Sequence, residues 1–411
     1  MTPSRVLIHG AGIAGPALAY WLARHGYRPT VVEQAKELRS GGSAVVVKEP
    51  ALTVAKSMGI LAQLREVATS SSALSLLDPA GRQLLRVPTA SPQSVEVTRS
   101  DLSAVLHRAA RDDAEFLFDD TITSLRQDPS GVDVTFRRSP PRRFDLLIGA
   151  DGIHSPVRRL VFGPAEQFTT GLGMYSATVP LEPGALGDPE VAVMLTAPGR
   201  MLTLHPSRGK PLAMFTFRGG RVPGYDRHDT ALHKRMVAAA YAGIGWRGPE
   251  LVEAYQNHPA PFFDPLANVR MEKWSHGRVA LLGDAASAVA LLGDGSSMAM
   301  AGAHTLAEAL AAHPGDHVRA FQAYEAKHRR QVDPKHRRVG LVATLLVPRT
   351  RHGLALRNTV GRAVGLATRT RNTVPPSRTA GSERLVRESG GSLSAESPSG
   401  AKVGLLRKAN G

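Results

Sequence analysis

The chain has 411 residues, 42% of them hydrophobic and 21% charged, an ordinary globular composition that excludes wholesale disorder and suits more than one packed unit. It contains no cysteine, which excludes disulfides, thiolate catalysis, cysteine zinc sites and iron–sulfur clusters, and the expected compartment is the cytoplasm. The formal net charge is +16, but 18 Lys or Arg against 4 Asp or Glu fall from Lys327 onward, leaving the body before it nearly neutral.

Residues 5–8 (RVLI) read as a short buried strand with no charged-then-apolar leader before it. GAGIAG at 10–15 opens a helical pattern through Leu18, Leu22 and Ala23 that stops at His25-Gly26, and PTVVE at 29–33 reads as a second strand. The pattern then predicts a helix over 51–67 and a hairpin over 74–87 turning at Pro79-Ala80-Gly81. A strand at 94–99, a helix at 101–111 and strands at 131–137 and 144–150 follow. Between 170 and 220 the period changes to alternation in YSATVPL, EVAVML, RMLTLHP and LAMFTFR, which predicts an antiparallel sheet forming a second domain. Helices at 229–242 and 248–257, a buried strand at 278–283 and a small-residue helix at 296–312 complete the predicted elements. Beyond Arg371 the chain is rich in Ser, Gly, Pro and Arg without a sustained period, so 372–411 reads as disordered. No uncharged apolar run approaches the ~20 residues that a membrane span needs.

Gly10, Gly12 and Gly15 have the spacing that lets a strand turn sharply into a helix while a diphosphate approaches the backbone at the helix amino end. Glu33 lies 18 residues beyond Gly15, where a carboxylate can accept hydrogen bonds from the ribose hydroxyls of an adenosine. This unit alone does not distinguish NAD from FAD.

Two later stretches make that distinction. DLLIGADGIHSPVRR at 145–159 is a hydrophobic strand ending in Ala150-Asp151-Gly152, and GRVALLGDAAS at 277–287 is another ending in Gly283-Asp284. With the glycine triplet, these ordered motifs spanning about 5–345 resemble the flavoprotein aromatic hydroxylases, the single-component FAD monooxygenases of the para-hydroxybenzoate hydroxylase type. The resemblance implies an α/β chain with a Rossmann-like FAD-binding domain on a parallel sheet, an antiparallel-sheet substrate domain and a C-terminal helical and disordered tail. The expected FAD-binding domain comprises 1–73, 99–165 and 271–335, and the substrate domain comprises the hairpin 74–98 and the sheet 166–270. A basic amphipathic segment at 336–371 and the tail 372–411 follow.

The cofactors so implied are FAD and, as co-substrate, NADPH or NADH. Contacts expected for them are Gly10, Gly12, Ile13, Ala14 and Gly15, then Glu33, Arg39 in ELRSGG and Arg99 in VTRSDLSAVL. Asp151, Gly152, Arg158, Asp284, Gly293, Gly295, Ser296 and Ser297 complete the set. An Arg fork suits a diphosphate and a carboxylate suits a polyol chain. Taken singly, Asp151 and Asp284 read equally as helix caps, and Arg158 or Arg159 as half of a structural ion pair. No role is assigned to His9 or His154, and no metal site is expected. After Asp284 the chain departs from the family: Ser287 replaces a His, a Pro is missing, and Asp294 replaces a Gln. Asp294 is expected either to place negative charge beside the flavin N1/O2 edge or to turn away and cap the following helix.

The resemblance implies hydride transfer from NAD(P)H, then dioxygen activation through a flavin C4a-hydroperoxide that hydroxylates an aromatic, polycyclic or polyketide-like small molecule. Met174, Met194, Met201, Met214, Phe215 and Phe217 suggest an apolar lining or simple core packing, and no catalytic base emerges among His205, Tyr175 and Tyr225. Baeyer–Villiger or other non-hydroxylating flavin chemistry on the same fold stays open. So does a non-catalytic flavin-binding protein anchored by its basic tail, with weak membrane-surface contact through 336–371. No nucleic-acid partner is expected, because the tail lacks aromatics to stack on bases, and the protein is expected to be a monomer or homodimer.

Overall fold

A computed structural model describes residues 4–38, 43–69 and 71–359. Arg39, the last part of segment 336–371 and the whole of 372–411 lie outside the described residues.

The chain opens with β1 (Arg5–His9), α1 (Ala14–Arg24), β2 (Arg28–Val32) and β3 (Ala44–Lys48). The helix expected over 51–67 is two short ones, α2 (Ala51–Ser57) and α3 (Leu61–Glu66), because Gly59 between them takes φ +72° and breaks the ladder. The hairpin β4 (Ala73–Leu77) and β5 (Gln83–Pro88) leads to β6 (Ser94–Thr98) and α4 (Arg99–Ala110). Short strands β7 (Glu115–Leu117), β8 (Ile122–Asp128), β9 (Gly131–Phe136), β10 (Arg142–Phe144) and β11 (Leu146–Gly149) precede α5 (Pro156–Phe162). The alternating region folds as β12 (Thr169–Pro180), β13 (Val191–Ala197), β14 (Arg200–His205) and β15 (Leu212–Arg218), followed by α6 (Thr230–Tyr241) and α7 (Gly248–Asn257). The last elements are β16 (Phe262–Val269), β17 (Ser275–His276), β18 (Val279–Leu281), α8 (Asp284–Ser287), α9 (Gly295–Ala312) and α10 (His317–Leu346).

Val6, Leu7 and Ile8 are all fully buried, as are Leu147, Ile148, Val279, Ala280 and Leu281. Consecutive burial without alternation marks strands covered on both faces, which is the state of a parallel sheet. That sheet has the order β17-β18-β11-β1-β2-β7, and β18, β11, β1, β2 and β7 run parallel. Its register sets His9 beside Gly149 and Gly149 beside Leu281, so the loops after β1, β11 and β18 leave one edge together.

The second large sheet, β16-β12-β15-β14-β13-β4-β5, is antiparallel except where β13 pairs in parallel with β4. The hairpin at 74–87 therefore joins this sheet, whereas β6 leaves it and pairs with β3 in a two-stranded ribbon. One face of the sheet packs Phe215, Phe217, Tyr175 and Leu204 against Val237 and Tyr241 of α6 and Leu251 and Tyr255 of α7. The fold is thus α/β, a parallel sheet joined to a largely antiparallel one.

Among the described residues no helix is long and apolar enough to cross a membrane. In the described part of 336–371, Val339, Ala343, Val347 and Leu354 are buried against the body, while Leu341, Leu345 and Leu356 face outward.

Asp120 stiffens the loop under the glycine turn. Its carboxylate accepts backbone N–H bonds from Thr121 (2.8 Å), Arg138 (2.9 Å) and Ser139 (2.8 Å), and its own N–H donates to the Glu33 carbonyl. Burial pushes this carboxyl up, but hydrogen bonds from Ser139, Arg138 and Thr121 outweigh it and bring the pKa down from 3.8 to about 2. Asp120→Asn is expected to lower the unfolding free energy near neutral pH by about 1–3 kcal/mol in urea titrations. A depressed folded-state pKa stabilises fully above the unfolded value and loses that contribution as pH falls. The difference between the two proteins should therefore shrink between about pH 4 and pH 2, and a constant difference would refute the assignment.

Candidate functional site

The three sequence motifs meet at the edge where β1, β11 and β18 end. Gly10 has φ +110°, and a Cβ there would stand 2.6 Å from the Ala150 carbonyl oxygen and 2.9 Å from Asp151 Cα. A Cβ on Gly15 would lie 1.9 Å from the Gly10 carbonyl oxygen. Both glycines are thus required by the protein's own packing. Gly12 is different: a Cβ there would meet nothing within 4 Å, so its bareness serves the open side of the loop. The α1 amino end has Ile13 at its cap without a side-chain bond and no acidic residue in its first turn. Its N–H donors and positive dipole end stay available to an anion.

Glu33 braces this loop. One carboxylate oxygen accepts from Ala11 N–H at 2.8 Å and the other from Ala35 N–H at 2.9 Å, and each keeps a lone pair for a further donor. On the other side, Ser103 of α4 donates to the Ala11 and Gly12 carbonyls at 3.3 and 3.1 Å. Arg99 stands one turn earlier on the same helix face, exposed, with no side-chain hydrogen bond or ion pair among the described residues. Arg39 lies outside the described residues.

Asp151 follows β11 and is buried. Its Oδ2 accepts the Val157 N–H at 3.0 Å and lies 2.8 Å from His9 Nδ1, while His9 Nε2 lies 2.9 Å from Thr121 Oγ1. Its Oδ1 is buried with no partner among the described residues. Both readings of Asp151 therefore keep an atom: Oδ2 caps α5 and Oδ1 has acceptor capacity to spare. The unforeseen member is His9. The signal was a titratable residue ending a fully buried central strand, a position that tolerates polarity only when paired.

Gly152 takes φ +79° in the turn that follows. Arg158 is 1% exposed and donates to the Ala285 carbonyl at 2.9 Å and the Ile153 carbonyl at 2.6 Å, while its Nε has no partner among the described residues. Burial lowers its pKa, only partly offset by the Asp151 charge, and it acts as a clamp between the second and third motifs.

The third motif packs on the first. Gly283 has φ +63°, and a Cβ there would lie 3.3 Å from Ala14 Cβ and 3.6 Å from Ala299 Cβ. Asp284 Oδ1 lies 3.7 Å from the position of a Cβ on Gly295, and the carboxylate makes no hydrogen bond or ion pair among the described residues. It opens on a recess also lined by Met298, His328, Val332 and Lys335. His328 is 1% exposed with neither ring nitrogen partnered, and burial brings its pKa down to about 4, so it is neutral.

Gly293 turns the chain with φ +70° into α9, whose Gly295, Ser296 and Ser297 N–H groups have no acceptor among the described residues. The Ser297 hydroxyl is committed elsewhere, donating to the Val46 carbonyl at 3.0 Å and accepting from Lys48 N–H at 3.1 Å. Asp294 does not cap the following helix. Its buried carboxylate is held by Lys335 Nζ and lies 3.7 Å from Lys48 Nζ. Neither lysine has a local sequence signal: one sits on β3 and the other far along α10.

The face of the large sheet turned away from α6 and α7 carries Met194, Met214 and Thr203 in register, with Met201, His205 and Thr216 alternating beside them. Phe215 and Phe217 do not belong to it, because strand alternation turns them into the opposite core. Met174 packs under Ala343 and Val347 of the α10 end. Tyr175 and Tyr225 sit among those aromatics, with pKa values raised by burial first. Of the three titratable candidates, His205 lies on the face turned away from α6 and α7, and it is buried. Its Nδ1 is 3.0 Å from Ser207 Oγ and its Nε2 2.9 Å from Glu96 Oε1 of β6. Burial pushes the Glu96 carboxyl up, and the bonds to His205 and Thr69 more than reverse this.

An unobstructed glycine turn, two uncapped helix amino ends, an orphaned buried oxygen on Asp151 and a free carboxylate at Asp284 fit a flavin dinucleotide spread along this edge. Comparison with known proteins agrees. A family model described as an FAD binding domain matches residues 3–333. The uncharacterized protein Rv1260 of Mycobacterium tuberculosis is 38% identical over 339 residues, covering 78% of this chain and 89% of that protein. A flavin-dependent monooxygenase of Legionella longbeachae is 31% identical, covering 80% of this chain and 86% of that protein. The crystal structure of tetracycline destructase Tet(55) superposes with a TM-score of 0.79 at 30% identity, covering 89% of this chain and 96% of that one. With its glycine turn, its Glu33 brace and its free Asp284, the chain belongs to the FAD-binding family of flavin-dependent monooxygenases, oxidoreductases that use dioxygen on small molecules.

Proposed function

We propose that this protein takes electrons from NADH or NADPH and inserts one oxygen atom of dioxygen into an aromatic or polycyclic small molecule. The observation that carries the reading is the convergence of Gly10, Ala150 and Gly283 on one edge, with Gly12 left bare. In this reading Gly12, Ile13, Ala14 and Gly15 hold the FAD diphosphate, assisted by Arg99 and Arg39. Glu33 accepts from the ribose, and Asp151 Oδ1 from a neighbouring hydroxyl or water. Asp284 holds the ribityl chain, and Gly293, Gly295, Ser296 and Ser297 present backbone donors to the flavin ring. FAD bound there supplies hydride acceptance and dioxygen activation, which no side chain can perform.

The chain's own residues do the rest. Met194, Met201 and Met214 offer a pliable apolar floor, and Thr203 and Thr216 give it hydroxyls that orient a multi-ring substrate. The tetracycline destructase named above supports a polycyclic substrate class. The Glu96–His205 pair, on the same face, can take up a proton from a substrate hydroxyl and keep it out of bulk water.

The test has two parts. Gly12→Val should abolish FAD uptake in a fluorescence titration while leaving the melting temperature of the FAD-free protein unchanged. Gly15→Ala, which collides with backbone, should instead lower that temperature. If Gly12→Val binds FAD like the parent, the cradle is elsewhere. In anaerobic stopped-flow experiments, a panel of phenols, tetracyclines and polyketide-like aromatics should contain a compound that accelerates flavin reduction by one nicotinamide at least about tenfold. Aerobic turnover should then yield product heavier by one oxygen atom. Reduction indifferent to every compound, with no oxygenated product, defeats this reading.

A further inference from the structure

Asp is among the preferred residues at a helix N-cap, because its carboxylate accepts the free N–H groups of the first turn. Asp294 occupies that position on α9 and does not do this. Its carboxylate is 4% exposed, gripped by Lys335 from α10 and approached to 3.7 Å by Lys48 from β3. Lys48 is fixed in turn, since its backbone N–H donates to Ser297 Oγ within the first turn of α9. Two cations from separate elements thus draw one anion off the helix end it would otherwise close. The recess beside it is lined by the partly exposed Asp284 carboxylate, which has no partner among the described residues, and by the buried, unpartnered His328.

We propose that Lys335 and Lys48 restrain Asp294, holding its carboxylate away from the α9 amino end so that the Gly295, Ser296 and Ser297 N–H groups stay open to the flavin ring and its charge is masked there. This rests on the FAD placement given above. Lys335 and Asp294 are positioning residues: they act through the helix end. Without the restraint, the carboxylate would satisfy the donors itself and compete with the cofactor. Lys335 and Lys48 offset the charges of Asp294 and Asp284 around the recess, so removing either lysine leaves a net negative charge that disfavours the negatively charged reduced flavin.

The experiment measures FAD dissociation constants by fluorescence quenching and flavin midpoint potentials by dye equilibration on full-length variants. Lys335→Met should weaken FAD binding about tenfold or more, and adding Asp294→Ala to it should restore affinity to within about threefold of the parent. Asp294→Asn, still a good cap but no longer drawn by charge, should also weaken binding, whereas Asp294→Ala alone should not. Midpoint potentials should fall in Lys335→Met and rise in Asp294→Ala. A tenfold change in relative affinity for reduced over oxidised flavin corresponds to about 30 mV. A double variant as impaired as Lys335→Met shows a merely structural ion pair and overturns the proposal. So does an Asp294→Ala that binds no better than Asp294→Asn, a comparison that stands even if Lys335→Met fails to fold. Parent protein that takes up no FAD would instead fail the reading of the previous section, a separate and recognisable result.

Discussion

The structure depends on how closely the backbone after β1 approaches the backbone after β11. Gly10 touches Ala150 and Asp151 where any other residue would collide, and Gly15 lies against the Gly10 carbonyl. That approach fixes the direction of α1 and places its uncapped amino end at the edge of the parallel sheet. Gly283 meets the first motif from the other side, where its φ of +63° calls for glycine and it faces Ala14 and Ala299. Side chains are excluded at these crossings so that backbone donors, not side chains, face the ligand. Binding by backbone costs little reorganisation, since the donors are already fixed by helices packed on a buried sheet.

Around this frame the polar residues divide into braces and open groups. Arg158 ties Ile153 to Ala285, and Asp120 collects three backbone N–H groups beneath His9 and Thr121. Each satisfies buried backbone that would otherwise be costly. Asp284, Asp151 Oδ1 and the first turns of α1 and α9 keep hydrogen-bonding capacity without a partner among the described residues, and they lie along one edge.

Much of this was legible in the chain itself. Runs such as Val6-Leu7-Ile8 and Leu146-Leu147-Ile148, each closed by Gly or Asp, announce buried parallel strands with turns at their carboxyl ends, because they are short, wholly apolar and bounded by turn residues. The alternation in 175–218 announced the second sheet, and strict parity would also have separated Met214 from Phe215. What the chain concealed depends on contacts distant in sequence. The parallel pairing of β4 with β13, the β3–β6 ribbon and the lysines around Asp294 carry no local period. Arg158 resembled an anion ligand because its neighbourhood did, and only its burial shows that carbonyls already occupy it.

Helix α10, with Pro334 inside it, joins these regions. It presents His328 and Lys335 to the recess beside Asp284, and two turns later its Ala343, with Val347 just past its end, meets Met174, where their carbonyls take the Arg218 guanidinium. Helical phase therefore couples the two ends: one residue inserted between them would rotate the far end by about 100° and advance it about 1.5 Å. The spacing between Lys335 and Ala343 is a ruler cut to length. Any change in that interval, even by a whole turn of about 5.4 Å, would carry one end off its partners.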